Sequence, residues 1–160
     1  MRPYDLDHLH KAVEAAARAR QHGNHPFGAV LADAQGNLIL EAENTVNTTR
    51  DITGHAETNL IRTASAAYSA EVLQECTLYA STEPCAMCSG AIFWSGVARV
   101  VYALSEKGLL ELAVHGAGSN FLNLPCRQVF ACGGRMVEVL GPLLETEARQ
   151  VHLGFWASTD

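Results

Sequence analysis

The sequence predicts an α/β fold, a mixed sheet sandwiched between helices. Two observations predict it: a hairpin of short apolar runs near the N-terminus, and an alternation of helical and strand patterns over the rest of the chain. A third bounds it. Apolar residues make up 48% of 160, enough for one substantial core, and no repeat, linker or low-complexity stretch divides the chain, so we expect one domain over 1–160.

From Asp7 to His22, Leu9, Val13, Ala16 and Ala17 recur at helical spacing, and Gly23 stops the run. Gly28 to Ala32 and Leu38 to Asn44 are apolar runs around a turn rich in Asp33, Gln35, Gly36 and Asn37, hence the hairpin. After a polar loop, Thr53 and Gly54 introduce a helix carrying Leu60, Ile61 and Ala64, followed by a strand from Thr77 to Ser81. Pro84 suits the first position of a helix, where no hydrogen bond is lost, so Cys85 to Ser95 should be helical and Val97 to Ala103 a strand. A helix from Glu106 to His115, a loop from Gly116 to Asn123, a strand from Val137 to Leu140 and a helix from Leu143 to Trp156 complete the pattern.

Composition excludes some functions. Acidic residues outnumber basic ones 17 to 11, for a net charge of −6, and Lys11 and Lys107 are the only lysines. Nucleic acid is an unpromising partner, because its binding draws on clustered Lys and Arg. The longest charge-free stretch, Pro84 to Ala98, is too short and too interrupted to span a bilayer, and the N-terminus lacks the pattern of a signal peptide, so a cytoplasmic location is expected. Five cysteines, two of them in a CxxC, favour reduced thiols and a metal over a disulfide framework; Cys76, Cys126 and Cys132 have no evident partners.

The chemistry concentrates in His55-Ala56-Glu57 and Pro84-Cys85-Ala86-Met87-Cys88, each at the start of an expected helix. Structural zinc is usually closed by four protein ligands, whereas catalytic zinc keeps one position open; three candidates, His55, Cys85 and Cys88, fit the second case. Cys85 and Cys88 are one turn apart at a helix N-terminus, which favours the thiolate. Glu57 stands about 200° around the helix from His55, so a shared metal must lie near the helix end, where the carboxylate reaches a metal-activated water without being a ligand. HxE followed by PCxxC is the pattern of zinc-dependent base deaminases.

On these residues, with Pro26-Phe27-Gly28-Ala29-Val30, Asn44, Gly54-His55-Ala56-Glu57-Thr58-Asn59 and Glu83 through Trp94, most of the chain resembles the cytidine deaminase superfamily, in the branch of guanine and tRNA adenosine deaminases. The resemblance implies a three-layer α/β/α sandwich around a five-stranded sheet and a homodimer or larger assembly. His55 through Asn59 and Gly90 through Trp94 are more similar to bacterial guanine deaminases, and acidic Glu145 and Glu147 do not suit a tRNA reader, so a free base or nucleoside is expected. It also implies that Asn44 hydrogen-bonds the heterocycle and that Phe27 packs on its face. An Asn at a strand end equally serves as a turn residue, and a Phe beside Gly as core. Trp94 points away from the face of Cys85 and Cys88 and suits packing or a subunit contact. Phe155 and Trp156 read as core anchors, and His8, His10, His22, His25, His115 and His152 as surface or packing residues.

The expected reaction is hydrolytic deamination with zinc as cofactor, guanine to xanthine first, Glu57 passing protons from water to a ring nitrogen and to the departing amine. The loop from His115 to Asn120 lacks the acid that such guanine deaminases place there, which keeps cytosine, cytidine, an aminotriazine and tRNA adenosine open as substrates. A reading of another class is a non-catalytic zinc-stabilised binding subunit; intact His55, Glu57, Cys85 and Cys88 argue against it.

Overall fold

The computed structural model describes residues 1–113 and 122–156. Its centre is a five-stranded sheet in the order β2-β1-β3-β4-β5, formed by β1 (Gly28–Ala32), β2 (Leu38–Glu43), β3 (Thr77–Thr82), β4 (Arg99–Leu104) and β5 (Glu138–Leu140). β1 is antiparallel to β2 and β3, while β3, β4 and β5 are parallel. β2, β3 and β4 therefore end at one edge of the sheet, and β1 begins there. The carboxyl ends of parallel strands are where α/β proteins collect ligands, and the candidate residues lie along this edge.

The two central strands are buried on both faces, so they read as continuous apolar runs, and alternate residues serve opposite layers. Leu78, Ala80, Val100 and Tyr102 join Leu60, Ile61 and Ile92 in one core, beneath α3 (Ala56–Ala67) and α5 (Ala86–Ser95). Tyr79, Val101 and Ala103 join Leu9, Ala12, Leu109 and Ala148 in the other, beneath α1 (Asp5–Gln21), α6 (Glu106–Ala113) and α8 (Glu145–Gln150). These are the three layers that the sequence implied.

The buried face of α1 is mostly alanine, which lets it lie close to the sheet; Asp5 and Asp7 in its first turn and Arg18 and Arg20 in its last complement the helix dipole. A Cβ on Gly28 would sit 2.4 Å from Ala12 O and Ala16 N, so the close approach requires glycine at the start of β1. At the other end of α1, fully buried Asp5 meets Arg99 in two hydrogen bonds of 2.8 and 2.9 Å and accepts the Tyr79 hydroxyl at 2.9 Å, tying the helix to β3 and β4.

Several boundaries differ from expectation. The polar loop contains α2 (Val46–Thr49), a further turn α4 (Ala70–Glu75) precedes β3, and α7 (Cys126–Ala131) lies before β5. These helices are too short to show a periodicity. Pro84 is not the first helical residue: Cys85 is the N-cap, with extended backbone, and Pro84 precedes it. A residue before the first helical position escapes the helical constraint, so Cys85 can aim its side chain off the helix end. The last helix stops at Gln150 rather than Trp156, because Arg20 takes the Val151 and Leu153 carbonyls at 2.8 and 2.9 Å and Gly154 adopts φ +70°. The expected helix end at His115 and the loop through Phe121 lie outside the described residues. Among the described residues, no helix is long and apolar enough to cross a membrane.

Candidate metal centre and active site

His55 and Cys85 occupy equivalent places, each the N-cap of its helix with extended backbone and no side-chain cap hydrogen bond. Their ring nitrogen and sulfur are therefore free to meet another partner where α3 and α5 pack together. Cys88, three residues into α5 and fully buried, completes the group. The Cys85 and Cys88 sulfurs lie 3.6 and 3.5 Å from His55 Nδ1, and all three donor atoms fall within 4.8 Å of one another. Metal–sulfur and metal–nitrogen bonds of about 2.3 and 2.0 Å at a tetrahedral angle give a sulfur–nitrogen separation of roughly 3.5 Å, so the spacing fits zinc. Charge agrees with geometry. Hydrogen bonds from the Cys88 thiol and from His55 outweigh burial and bring the Cys85 thiol down to about 4, so this sulfur carries a negative charge at neutral pH. The Cys88 thiol is held up first by its bond to Cys85 and then by burial. A divalent cation is the group that stabilises both sulfurs as thiolates.

Glu57, 7% exposed, places Oε2 3.5 Å from the Cys88 sulfur, beside the three donors and not among them. Burial, then the charge on Cys85, pushes its carboxyl up to about 7, the range in which a group both takes and returns a proton at neutral pH. Thr58 fixes the start of α3, its hydroxyl donating to the Thr53 carbonyl and, at 2.9 Å, to that of His55. Asn59 Nδ2 donates to Glu43 O at 2.9 Å and Thr45 Oγ1 at 3.0 Å, so the helix bearing His55 and Glu57 is pinned to the end of β2.

That strand end leads into Asn44, which is fully buried. Its Oδ1 accepts the Val46 N–H at 3.0 Å, the turn role open to any Asn at a strand end, while its Nδ2 has no partner among the described residues. Both readings of Asn44 thus have an atom. Its backbone N–H donates to Phe27 O at 3.0 Å, which places the two candidate substrate residues side by side. Phe27 is half-buried within a group of rings, with His25, His152 and Trp156 centroids 6.5, 5.3 and 6.1 Å away. Trp94, 86% exposed, stays out of the site as its helical position required.

Two acids went unread in the sequence. Glu83 accepts the N–H groups of Glu106 and Cys126 at 3.1 and 3.2 Å, so the residue leading into Pro84-Cys85 anchors the starts of α6 and α7. Glu106 is 8% exposed, and burial, then the charges of Glu83 and Cys85, pushes its carboxyl up to about 7. No spacing in the sequence relates Glu106 to Cys85; adjacent parallel strands do, because β3 and β4 end together at Thr82 and Leu104. Of the remaining histidines, His8 is buried with Nε2 2.8 Å from Gly36 O, His10 is exposed, and His22 pairs with Glu43 at the surface.

Known proteins share both sequence and fold. A family model for the cytidine and deoxycytidylate deaminase zinc-binding region matches residues 3–104. A probable cytosine deaminase of Schizosaccharomyces pombe is 41% identical over 152 residues, 95% of this chain and 92% of its own. The guanine deaminase of Bacillus subtilis is 44% identical over 104 residues, 64% of this chain and 66% of its own. A solved structure of a guanine deaminase from Nitrosomonas europaea, 23% identical, superposes with a TM-score of 0.75 over 99% of this chain and 94% of its own, and so shares the fold. With His55, Glu57, Cys85 and Cys88 gathered at one sheet edge inside the matched region, the chain belongs to the cytidine and deoxycytidylate deaminase family of zinc-dependent deaminases.

Proposed function

We propose that residues 1–160 act as one domain that hydrolytically deaminates a free nucleobase or nucleoside, with His55, Cys85 and Cys88 as zinc ligands and Glu57 as the proton carrier. The observation that carries this is the position of the Glu57 carboxyl, buried 3.5 Å from a ligand sulfur yet outside the ligand set. When bound, zinc would supply an acidified water at neutral pH. The chain's residues do the rest. Glu57 accepts one proton of that water as its oxygen bonds the amidine carbon, donates it to the adjacent ring nitrogen, then takes the remaining hydroxyl proton and delivers it to the amine as the carbon–nitrogen bond breaks; its raised affinity for a proton suits each transfer. Asn44 Nδ2 donates to an acceptor on the ring, and Phe27 packs on its face.

Guanine to xanthine is the first reaction, on the likeness of His55 through Asn59 and Gly90 through Trp94 to guanine deaminases. Cytosine to uracil is the second reading. It is favoured by the match to the probable cytosine deaminase, which extends into the C-terminal third where His152 and Trp156 close on Phe27. The test is ammonia release by the zinc-loaded protein from guanine, cytosine, adenine, their nucleosides and aminotriazines, with Glu57→Gln as control. Release that Glu57→Gln abolishes while zinc stays bound supports the reading and names the substrate; equal release by Glu57→Gln refutes the role of Glu57, and no release from any compound refutes the reading.

A further inference from the structure

His152 is buried to 1% exposure, and its two ring nitrogens are in different situations. Nδ1 lies 3.2 Å from the Trp156 indole Nε1, with the two rings stacked at 14°. An indole N–H can only donate, so Nδ1 must be the accepting nitrogen, and in a neutral imidazole the proton then sits on Nε2. Nε2–H is thus a donor of known polarity, buried and without an acceptor among the described residues. Buried donors are nearly always satisfied, and one left over in a family of enzymes asks for a ligand.

Its surroundings say where that ligand would be. The His152 ring is 5.3 Å from Phe27, whose carbonyl holds Asn44. Gly28, next to Phe27, donates to Ser81, and Ser81 is followed by Thr82, whose buried hydroxyl is also unpartnered. His25, in contact with Phe27, Phe155 and Trp156, is close enough to His55 for a charge there to lower its proton affinity further, burial being the larger cause. Among the described residues, the buried side-chain atoms left without a partner are on Asn44, Thr82, His152 and, in α1, His8; of these Asn44 and His152 both meet Phe27, the first through its backbone and the second ring to ring.

We propose that His152 is a substrate-contacting residue, its Nε2–H fixed by Trp156 and donated to an acceptor, a ring nitrogen or an exocyclic oxygen, of the heterocycle packed on Phe27. Burial, with Arg20 nearby, lowers the proton affinity of the ring to about 4, so it stays neutral and keeps this tautomer through the physiological range. The substrate class follows: a planar heterocycle that offers an acceptor to His152 as well as one to Asn44, as guanine and cytosine can and an unsubstituted amine cannot. The inference rests on the deaminase reading above.

The test uses the zinc-loaded protein and the base that wild type turns over. His152→Phe keeps an aromatic ring and removes the donor. A lost contact that serves ground and transition states alike raises KM, by roughly tenfold, with kcat little changed. An unchanged KM in folded, zinc-replete His152→Phe overturns the proposal while leaving the deaminase reading intact; a wild type silent on the whole panel overturns both. If His152→Phe does not fold, the decisive measurement is on protein labelled with 15N-histidine and carrying Glu57→Gln. The Nε2–H resonance of the neutral histidine is expected to shift on titration with the base, and a resonance that stays put, as it would if Nε2–H met only a buried water, overturns the proposal.

Discussion

His55 and Cys85 stand at the N-caps of two different helices with Nδ1 and Sγ 3.6 Å apart. A metal held there joins α3 to α5, and the third donor, Cys88, is fully buried between them. Stability should therefore follow metal occupancy. At free zinc about a thousand times its dissociation constant, linkage adds about 4 kcal/mol, which for a chain of this size is roughly 10 °C of melting temperature. We expect a chelator to lower the melting temperature by that order and added zinc to restore it, with Cys88→Ala binding no zinc and showing no response. An equal melt with and without metal would contradict the assignment.

Asn44 offers a substitution that separates its two roles. Asn44→Asp keeps an oxygen to accept the Val46 N–H but replaces the unpartnered Nδ2 donor with an acceptor. A turn residue would tolerate the change. A residue that donates to the substrate ring would not, and an acceptor facing an acceptor should cost at least about a hundredfold in kcat/KM. Ammonia release from the preferred base, read beside a melting curve that stays within a few degrees of wild type, is the check.

The contrast between His55 and His152 shows how far the sequence could be read. His55, Glu57, Cys85 and Cys88 lie in two short segments whose spacing pointed to one shared site, and the structure brings the four side chains together. The sheet was legible too, because consecutive buried positions such as Leu78, Tyr79 and Ala80 mark a central strand as a continuous apolar run. His152 and Glu106 were not legible, since their surroundings come from segments distant in sequence: the turn after α8 closing on Phe27, and β4 ending beside β3. Nor could the stop of α8 be seen, because the carbonyls that end it are taken by Arg20, more than a hundred residues earlier.

His152 and Asp5 each make a contribution to stability that acid removes, in two separate windows. His152 has its proton affinity lowered by burial to about 4, against an unfolded value near 6.5. Between those values the unfolded chain binds a proton that the folded chain refuses, so stability falls as pH drops, by about 3 kcal/mol in all. For Asp5, burial acts upward but is outweighed by Arg99, the Arg2 N–H and Tyr79, which bring the carboxyl to about 2. Its contribution, about 2 kcal/mol, is full above about pH 4 and is lost as pH falls toward 2. The carboxyls of Glu57 and Glu106, raised to about 7, act the other way across the upper window, so the contribution of His152 is read as the difference between wild type and His152→Phe. That difference in melting temperature should shrink as pH falls from about 6.5 toward 4; Asp5→Asn should remove the slope in the lower window and cost about 3 kcal/mol at neutral pH, since it leaves Arg99 buried with fewer partners.

Gly28→Ala tests how closely α1 lies on the sheet. The added methyl meets Ala12 O, Ala16 N and Ala15 Cβ at 2.4 to 2.6 Å, all atoms of the helix itself or bonded to it, so no side-chain rotation relieves the clash. The helix must move, at a cost of about 3 kcal/mol. Because Phe27 is the next residue, the shift reaches the site, and activity should fall together with stability. A chemical denaturation midpoint equal to that of wild type would show that the layers yield more easily than their spacing implies.

The homodimer implied by the family resemblance has a candidate face in this chain. Trp94 is 86% exposed on α5, Met87 is exposed two turns earlier on the same side, and an added Cβ on Gly90 between them would meet nothing within 4 Å. A tryptophan so exposed is a costly surface residue in a monomer and a frequent anchor in an interface. Met87 sits between Cys85 and Cys88, so a partner covering this stripe would also cover the turn that carries two of the three candidate ligands. Sedimentation velocity should give twice the chain mass for wild type and the chain mass for Trp94→Ser. The monomeric variant should then lose zinc to a chelator faster than wild type, the turn having lost its cover. A wild type that sediments as a monomer would refute the dimer, and a dimeric Trp94→Ser would place the interface on another face.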